Sequence, residues 1–299
     1  MRYFQGRKVF YEGKNFIVTL VKAGNMGEPL FFGCTDFSVT DPWIMKQRHM
    51  YENCTELALI FKCDDPTIKR PELMSHRERK ILYKNPDYFG CEGLRSSAKE
   101  FAGLINSIKN NGVVVQFQMK SGLMICTDDF SENLEKLDVC LFALSVPFKG
   151  TKTVEPDEVG KALNSFQKEK MYDPMYSSHI IDYEISRAKA PELVGKSLEK
   201  VTIISSGLRS AYEYNSYIWP SKMEVLNPIH LAFKYVGSKL EKAEHTKKGS
   251  NGAVTIESQE GWMEMRKNPK AYYRIYEDAL GTFTNRHVRE IVQKEINKF

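Results

Sequence analysis

The feature that most constrains the fold is a series of short strand-like segments in the first half of the chain. The segment RKVFYEGKNFIVTLV predicts two strands joined by a turn over Glu-Gly-Lys-Asn, because β-branched and aromatic residues flank turn-forming ones. Further strands are predicted in EPLFFGCTDFSV, ELALIFKC and DVCLFALSVPF. Two segments with helical patterns, SHRERKILYKN and SSAKEFAGLINSIKNNG, interrupt this series.

The order of these segments predicts the fold class. In VVVQFQMKSGLMICTDD, apolar and polar residues alternate around Lys-Ser-Gly, which is typical of a β-hairpin. Strands and helices do not alternate regularly along the chain, which disfavours a doubly wound parallel sheet. The sequence therefore predicts an α+β fold, with a mostly antiparallel β-sheet and packed helices in the N-terminal half and a more helical C-terminal half.

A polar segment near the middle of the chain, FKGTKTVEPDE at residues 148–158, is the predicted boundary between two regions. Residues 1–149 are then a β-rich α+β region, and residues 150–299 are a mixed, more helical region. The alternative is that both regions form a single domain. At the C-terminus, residues 285–299 predict a helix whose apolar stripe docks on the core, and the alternative is that this helix is a partner-binding tail.

Composition and cysteine use predict a location inside the cell, in the cytoplasm or the nucleus. The first residues, MRYFQGRKVF, do not resemble a secretory signal, and no apolar run is long enough to span a bilayer, so no membrane partner is expected. The 6 cysteines are well separated and fit reduced, mostly buried thiols. The formal net charge of +5 permits an anionic partner without requiring one.

The segment APELVGKS, residues 190–197, matches the loosest form of a phosphate-binding loop. Such a loop needs small residues so that successive backbone N–H groups point at the phosphate. Here Pro191 lacks an N–H group, and Leu193 and Val194 are bulky. The segment is therefore interpreted as a turn with a solvated Lys196.

Acidic pairs follow two predicted strands. Asp64 begins the pair after IFKC, and Asp128 and Asp129 follow LMICT. Carboxylates at strand ends are suitable ligands for Mg²⁺ in phosphoryl chemistry. The competing interpretation is a turn before Pro66 and a helix start at Asp129.

Aromatic and basic residues occur together in three segments, WIMKQRHMYEN, RSAYEYNSYIWPSK and NPKAYYRIYED, and a basic loop, HTKKGSNGA, lies nearby in sequence. Aromatic side chains stack on unpaired bases while Lys and Arg follow the phosphates. The candidate nucleic-acid-binding residues are Arg48, Tyr51, Arg209, Tyr212, Tyr214, Trp219, Lys222, Lys247, Lys248, Tyr273 and Arg274. The competing interpretation places these aromatics in the core or at its rim.

The predicted function is a non-enzymatic protein that binds single-stranded nucleic acid with little sequence preference, has no cofactor and associates with itself. Two alternatives stay open. One is a metal-dependent phosphodiesterase or nuclease that uses Mg²⁺ with Asp64, Asp128 and Asp129. The other is a structural or self-assembling protein whose aromatic residues anchor an interface. The sequence contains no signature that we could match residue by residue to a known family.

Overall fold

The structure is a computed structural model, and it describes residues 2–4, 6–34, 49–61, 91–109, 112–134, 138–148, 200–208, 241, 248–252, 254–261, 271–277, 282 and 285–299. These residues contain nine strands. They are β1 (Tyr3–Phe4), β2 (Arg7–Glu12), β3 (Phe16–Lys22), β4 (Leu30–Cys34), β5 (Thr55–Phe61), β6 (Val113–Gln118), β7 (Val139–Leu144), β8 (Val201–Gly207) and β9 (Ala271–Tyr276). The helices are α1 (Cys91–Ser107), a 3-10 helix (Met119–Cys126), α2 (Asp128–Asn133), α3 (Ile256–Glu260) and α4 (Arg286–Ile296).

All nine strands belong to one sheet in the order β1-β2-β3-β5-β4-β6-β7-β8-β9. The strands β1, β2 and β3 pair antiparallel with their neighbours, and β3 is also antiparallel to β5. From β5 to β9 every pairing is parallel. The predicted α+β fold is therefore wrong, because six of the nine strands form a parallel sheet and the C-terminal half supplies two of them.

The hairpin predicted at Lys-Ser-Gly contributed to the wrong fold class, because a hairpin would make the strands on its two sides antiparallel. After β6 the chain enters the 3-10 helix instead of a hairpin. Across its first turn, the Ser121 hydroxyl accepts the Gln118 N–H and donates to the Gln118 carbonyl. The next strand, β7, then lies parallel to β6 on the side away from β4. By contrast, the predicted first hairpin is confirmed as the antiparallel pair of β2 and β3.

The strands from β3 to β8 are mostly buried on both faces, as central strands of a parallel sheet usually are, whereas β1, β2 and β9 at the edges are partly exposed. One face packs against α1, the 3-10 helix and α2, where Phe101 contacts Phe16, Phe32 and Phe117 edge to face. The opposite face packs against α4, which buries Val288, Val292 and Ile296. The predicted docking of the C-terminal helix on the core is therefore confirmed.

The sheet takes β1 to β7 from residues before 149 and β8 and β9 from residues after 150. Strands of both predicted regions thus lie in one sheet, while the boundary at 149 itself stays a prediction. Within the described part of the chain, no helix has the length and apolar character needed to cross a membrane.

Candidate functional site

The strand order reverses direction at β4, which lies between β5 and β6. The connection from β4 to β5 ends in Tyr51 and Cys54, on the face that α4 covers. The connection from β6 to β7 contains the 3-10 helix and α2, on the face that α1 covers. The described parts of the two connections therefore lie on opposite faces of the sheet, on either side of the neighbouring strands β4 and β6. Open α/β sheets bind ligands in the crevice at such a switch point.

Ser121 lies at this crevice, on the turn that follows β6. It is buried, and its hydroxyl accepts the N–H of Gln118 at 3.1 Å and donates to the Gln118 carbonyl at 2.6 Å. The same hydroxyl lies 3.3 Å from the carbonyl of Cys34, the last residue of β4. The backbone of Gln118 is extended, with φ −111° and ψ 133°. In this conformation Ser121 joins the carboxyl ends of β4 and β6.

A cluster of neutral polar side chains closes the carboxyl ends of β7 and β8. Ser206 is its centre, and its hydroxyl lies 2.7 Å from Ser145 Oγ, 2.8 Å from Thr282 Oγ1 and 3.1 Å from Asn251 Nδ2. The Gln259 amide accepts the Ser206 N–H at 2.7 Å and donates to the Ser206 carbonyl at 2.9 Å. All five residues are fully buried.

The backbone at Ser145 explains how this cluster forms. Its φ is 53°, in the left-handed region that side chains other than glycine rarely adopt. This turn directs the chain away from β7, while the Ser145 N–H still donates to the Ile204 carbonyl on β8. The named members of the cluster are hydroxyls and amides, which are weak bases at neutral pH. The cluster therefore fixes the loops at this end of the sheet and does not itself supply a general base.

A second cluster of polar residues surrounds Glu260, at the end of α3. Its nearly buried carboxylate accepts from Lys248 at 2.6 Å, from Arg274 at 2.7 Å and from the Tyr272 hydroxyl at 3.0 Å. The Tyr272 hydroxyl also lies 2.7 Å from Ser205 Oγ. Burial and then the nearby Glu260 carboxylate raise the pKa of Tyr272. The group ties α3 to β8 and β9.

The structure describes four of the predicted nucleic-acid-binding residues. Tyr51 is fully buried, its ring centre is 4.4 Å from that of Phe31, and its hydroxyl donates to Gln116 at 2.8 Å. Tyr273 is exposed on β9, whereas Lys248 and Arg274 share the Glu260 carboxylate. The others lie outside the described residues, namely Arg48, Arg209, Tyr212, Tyr214, Trp219, Lys222 and Lys247.

The acidic candidates do not converge in the described part of the chain. Asp128 and Asp129 begin α2, whose N-cap is Thr127, and Asp129 lies 4.0 Å from Arg95. This is the helix start that the competing interpretation predicted. Asp64 lies outside the described residues, as does APELVGKS. Among the residues that are described, no group of three or more His, Cys, Asp or Glu side chains could hold a metal ion.

Neither a protein-family model nor a curated protein matches the sequence. Solved structures of similar fold include an esterase from Rhodococcus sp., with 11% identity, coverage of 94% of both chains and a TM-score of 0.43. A hydrolase from Oleispira antarctica has 10% identity, 94% coverage of both chains and a TM-score of 0.40. An alpha/beta hydrolase enzyme from the metagenome of lagoon sediments in Morocco has 13% identity, covers 97% of this chain and 98% of its own, and has a TM-score of 0.35. Because each TM-score is below 0.5, we take neither chemistry nor substrate from these proteins.

The prediction of a non-enzymatic, self-associating binder of single-stranded nucleic acid is wrong. The candidate binding residues that the structure describes do not together form one exposed, basic surface. The molecule gives a physical reason for the error. Tyr51 is a core residue, and the charges of Lys248 and Arg274 are opposed by Glu260. At Tyr51, Lys248 and Arg274, sequence proximity of aromatic and basic residues therefore did not indicate an exposed, positively charged surface.

Several residues at the carboxyl edge were missed by the sequence analysis. Ser206 could have been noticed, because two serines and a glycine end the strand segment KVTIISSG. No local pattern marks Gln259 or Thr282, which are 53 and 76 residues away from Ser206 along the chain. Gln116 was part of a predicted strand but was not recognised as a buried amide.

Proposed function

We propose that this protein binds a small organic molecule at the carboxyl ends of β4 and β6 and hydrolyses an ester bond in it. The observation that supports binding there is the reversal of strand order at β4. Ligands of open parallel sheets occupy the crevice that such a reversal leaves between diverging connections. The binding part of the proposal thus depends on topology and not on any single side chain.

The reaction class rests on an analogy of local architecture. In α/β-hydrolases the nucleophilic serine lies on the turn between a parallel strand and the following helix. Here Ser121 follows β6 within the 3-10 helix, beside the crevice. Two differences are plain: the sequence lacks Gly-x-Ser-x-Gly, and Ser121 is buried in an ordinary turn. Attack by Ser121 Oγ would therefore require the 3-10 helix to move away from the Cys34 carbonyl.

A second candidate function is a non-catalytic binder of small molecules at the same crevice. The observation that favours it is the cluster around Ser206, where the ends of β7 and β8 carry neutral, mutually bonded groups. A hydrolase of the serine type needs a base that takes the nucleophile's proton. The named members of this cluster do not provide one.

Hydrolysis of p-nitrophenyl acetate and p-nitrophenyl butyrate, followed by nitrophenolate absorbance, separates the two candidates. We expect turnover above the rate without protein and a loss of at least about 100-fold in Ser121→Ala, since removal of a nucleophile costs several orders of magnitude. Ser131→Ala on α2 is the matched control and should retain activity. Turnover that is unchanged in Ser121→Ala would reject the role of Ser121. No turnover with either ester would favour the non-catalytic binder.

We also propose that the protein is located inside the cell, in the cytoplasm or the nucleus. The support is its cysteine chemistry. Cys34 and Cys54 are buried free thiols, as expected in a reducing compartment. Fractionation of the source cells, followed by immunodetection, tests the location.

A further inference from the structure

Residues 50–54, directly before β5, form a strap that contacts both the sheet and α4. Within the strap, Tyr51 and Cys54 are fully buried, in the cluster that also contains Val292 of α4. The Tyr51 hydroxyl donates to Gln116 on β6 at 2.8 Å. The strap therefore covers part of the sheet face on which α4 lies.

On the sheet side, two charged side chains bond the backbone of the strap. The carboxylate of Glu56 on β5 accepts the Met50 N–H, at 3.3 Å through one oxygen and at 3.1 Å through the other. Lys22 on β3 donates to the Tyr51 carbonyl at 3.0 Å. Glu56 is only 4% exposed, and both of its carboxylate oxygens contact the strap. Release of the strap would therefore expose this carboxylate to water.

On the helix side, two side chains of α4 bond the same backbone. Gln293 accepts the Glu52 N–H at 2.9 Å and donates to the Glu52 carbonyl at 3.0 Å, and Arg289 donates to the Met50 carbonyl at 3.3 Å. These bonds come from side chains and are separate from the backbone pairing of the strands. The strap can therefore leave the sheet face while β3, β4 and β5 stay paired.

The groups around Glu56 determine how its charge acts on the strap. Burial raises the pKa of Glu56, and the hydrogen bonds from the strap backbone and the charges of His49 and Lys22 offset this effect only in part. The other titratable groups that face Glu56 or the strap are Arg7 on β2, Glu28 before β4, Arg289 on α4, Tyr51 and Cys54. Burial raises the pKa of Cys54 to about 12 and also raises that of Tyr51, so both side chains stay protonated near neutral pH.

We propose that the strap is a pH-sensitive cover of the sheet, which opens when Glu56 loses its proton. With the strap closed, the ionised carboxylate is kept from water, and a buried charge is costly. With the strap open, water solvates the same carboxylate. Opening also removes Tyr51 from its position beside Phe31 and Gln116. The inference goes beyond the proposed ester hydrolysis and does not depend on it.

The direction of the pH effect follows from the two states of Glu56. Below the ordinary value of 4.5, Glu56 is protonated whether the strap is closed or open, so pH has no effect on the equilibrium. As the pH rises through the higher pKa of the closed state, the open state gains. Above that pKa the equilibrium is again independent of pH.

Hydrogen exchange of the full chain tests the inference through the backbone amides of Met50, Tyr51 and Glu52. Their protection is followed by NMR between about pH 4.5 and about pH 8, after correction for the intrinsic exchange rate at each pH. We expect protection in the native protein to fall at least about twofold over this range. In Glu56→Gln, which keeps an acceptor for Met50 but has no charge, protection should stay constant.

Two further variants separate Glu56 from its neighbours. Gln293→Ala removes both bonds to Glu52, so it should lower the protection of the strap at every pH and leave the pH dependence unchanged. His49→Gln is the second control, because histidine side chains change charge in this pH range. The pH dependence should remain in His49→Gln, and this result decides the question even if Glu56→Gln does not fold.

Low concentrations of urea distinguish opening of the strap from unfolding of the whole protein. Opening of the strap exposes little surface, so urea should hardly change the protection of its amides, whereas the amides of β6 should lose protection. Strap amides as strongly protected and as sensitive to urea as those of β6 would overturn the inference. Protection that does not depend on pH in the native protein would also overturn it, as would a pH dependence that persists in Glu56→Gln or disappears in His49→Gln.

Discussion

Glu56 is a buried carboxylate on the face of the sheet that α4 covers. It lies on β5 beside Phe31 in register, and it accepts the N–H of Met50 at 3.1 Å. Burial raises the pKa of Glu56, and the hydrogen bonds from the backbone of Met50 and Tyr51 oppose this effect only in part. The ionised form of Glu56 is therefore a destabilising group in the folded protein.

The sign of the pH effect follows from the raised pKa. Stabilisation by protonated Glu56 is complete below the ordinary value of 4.5 and is lost as the pH rises through the higher pKa of the folded state. Glu56→Gln keeps the acceptor for Met50 but carries no charge. We expect this variant to gain stability relative to the native protein between pH 4 and pH 7. Urea unfolding at a series of pH values measures the difference.

Glu52→Gln, an exposed substitution on the same segment, is the control for this measurement. A pH trend in Glu52→Gln equal to that in Glu56→Gln would contradict the assignment to the buried carboxylate. If the difference in unfolding free energy between the native protein and Glu56→Gln is the same at every pH, the pKa of Glu56 does not change on folding.

At the scale of elements, α4 illustrates how a local pattern becomes a packing contact. Val288, Val292 and Ile296 recur every four residues, so they form one stripe on the helix. Asn285 caps the first turn by accepting from the N–H groups of His287 and Val288. The stripe lies in the same cluster as Phe142 and Ile204 of the sheet.

Truncation of this stripe should destabilise the whole protein. Ile296 is almost fully buried, and we expect Ile296→Ala to cost about 3 kcal/mol, since it removes apolar contacts and leaves a cavity. Lys294→Ala, on the exposed side of the same helix, is the matched control and should change stability by less than about 0.5 kcal/mol. Chemical denaturation of both variants gives these values. Equal effects would show that α4 is not docked through this stripe.

At the scale of the whole molecule, the sheet links the two halves of the chain. β7 is buried along its whole length. Its edge on the side away from β6 pairs with β8, which comes after residue 199. A fragment of residues 1–149 would therefore expose the edge and part of both faces of β7. Exposed, apolar sheet edges promote aggregation.

We expect the fragment of residues 1–149 to lack a cooperative unfolding transition, while the full chain unfolds in a single step. Circular dichroism during thermal and urea unfolding, together with size-exclusion chromatography, measures both. The fragment of residues 150–299, which lacks the strands next to β8, is the reciprocal control. Cooperative unfolding of either fragment by itself would support the two-region division at residue 149.

Much of the local structure was predictable from the sequence. The turn between β2 and β3, the helical pattern around Phe101 and the apolar stripe of α4 are local signals. The structure contains the corresponding elements, because each one depends on residues within about four positions of one another. The candidate site was not predictable in the same way. Ser206 meets Gln259 and Thr282 only because β8 and the segments after it fold back to one edge of the sheet.

The sequence by itself determined where most strands and helices form and which faces of them are apolar. Only the tertiary structure decided how the strands pair, because alternation and β-propensity are the same for a strand whose neighbour is parallel or antiparallel. The Lys-Ser-Gly segment after β6 suited a hairpin locally, but the Ser121 hydroxyl bonds the Gln118 backbone and lies beside the Cys34 carbonyl, and the chain continues as a helix. Of these two contacts, only the one with Cys34, 87 residues away along the chain, is non-local, and a local sequence pattern does not contain it.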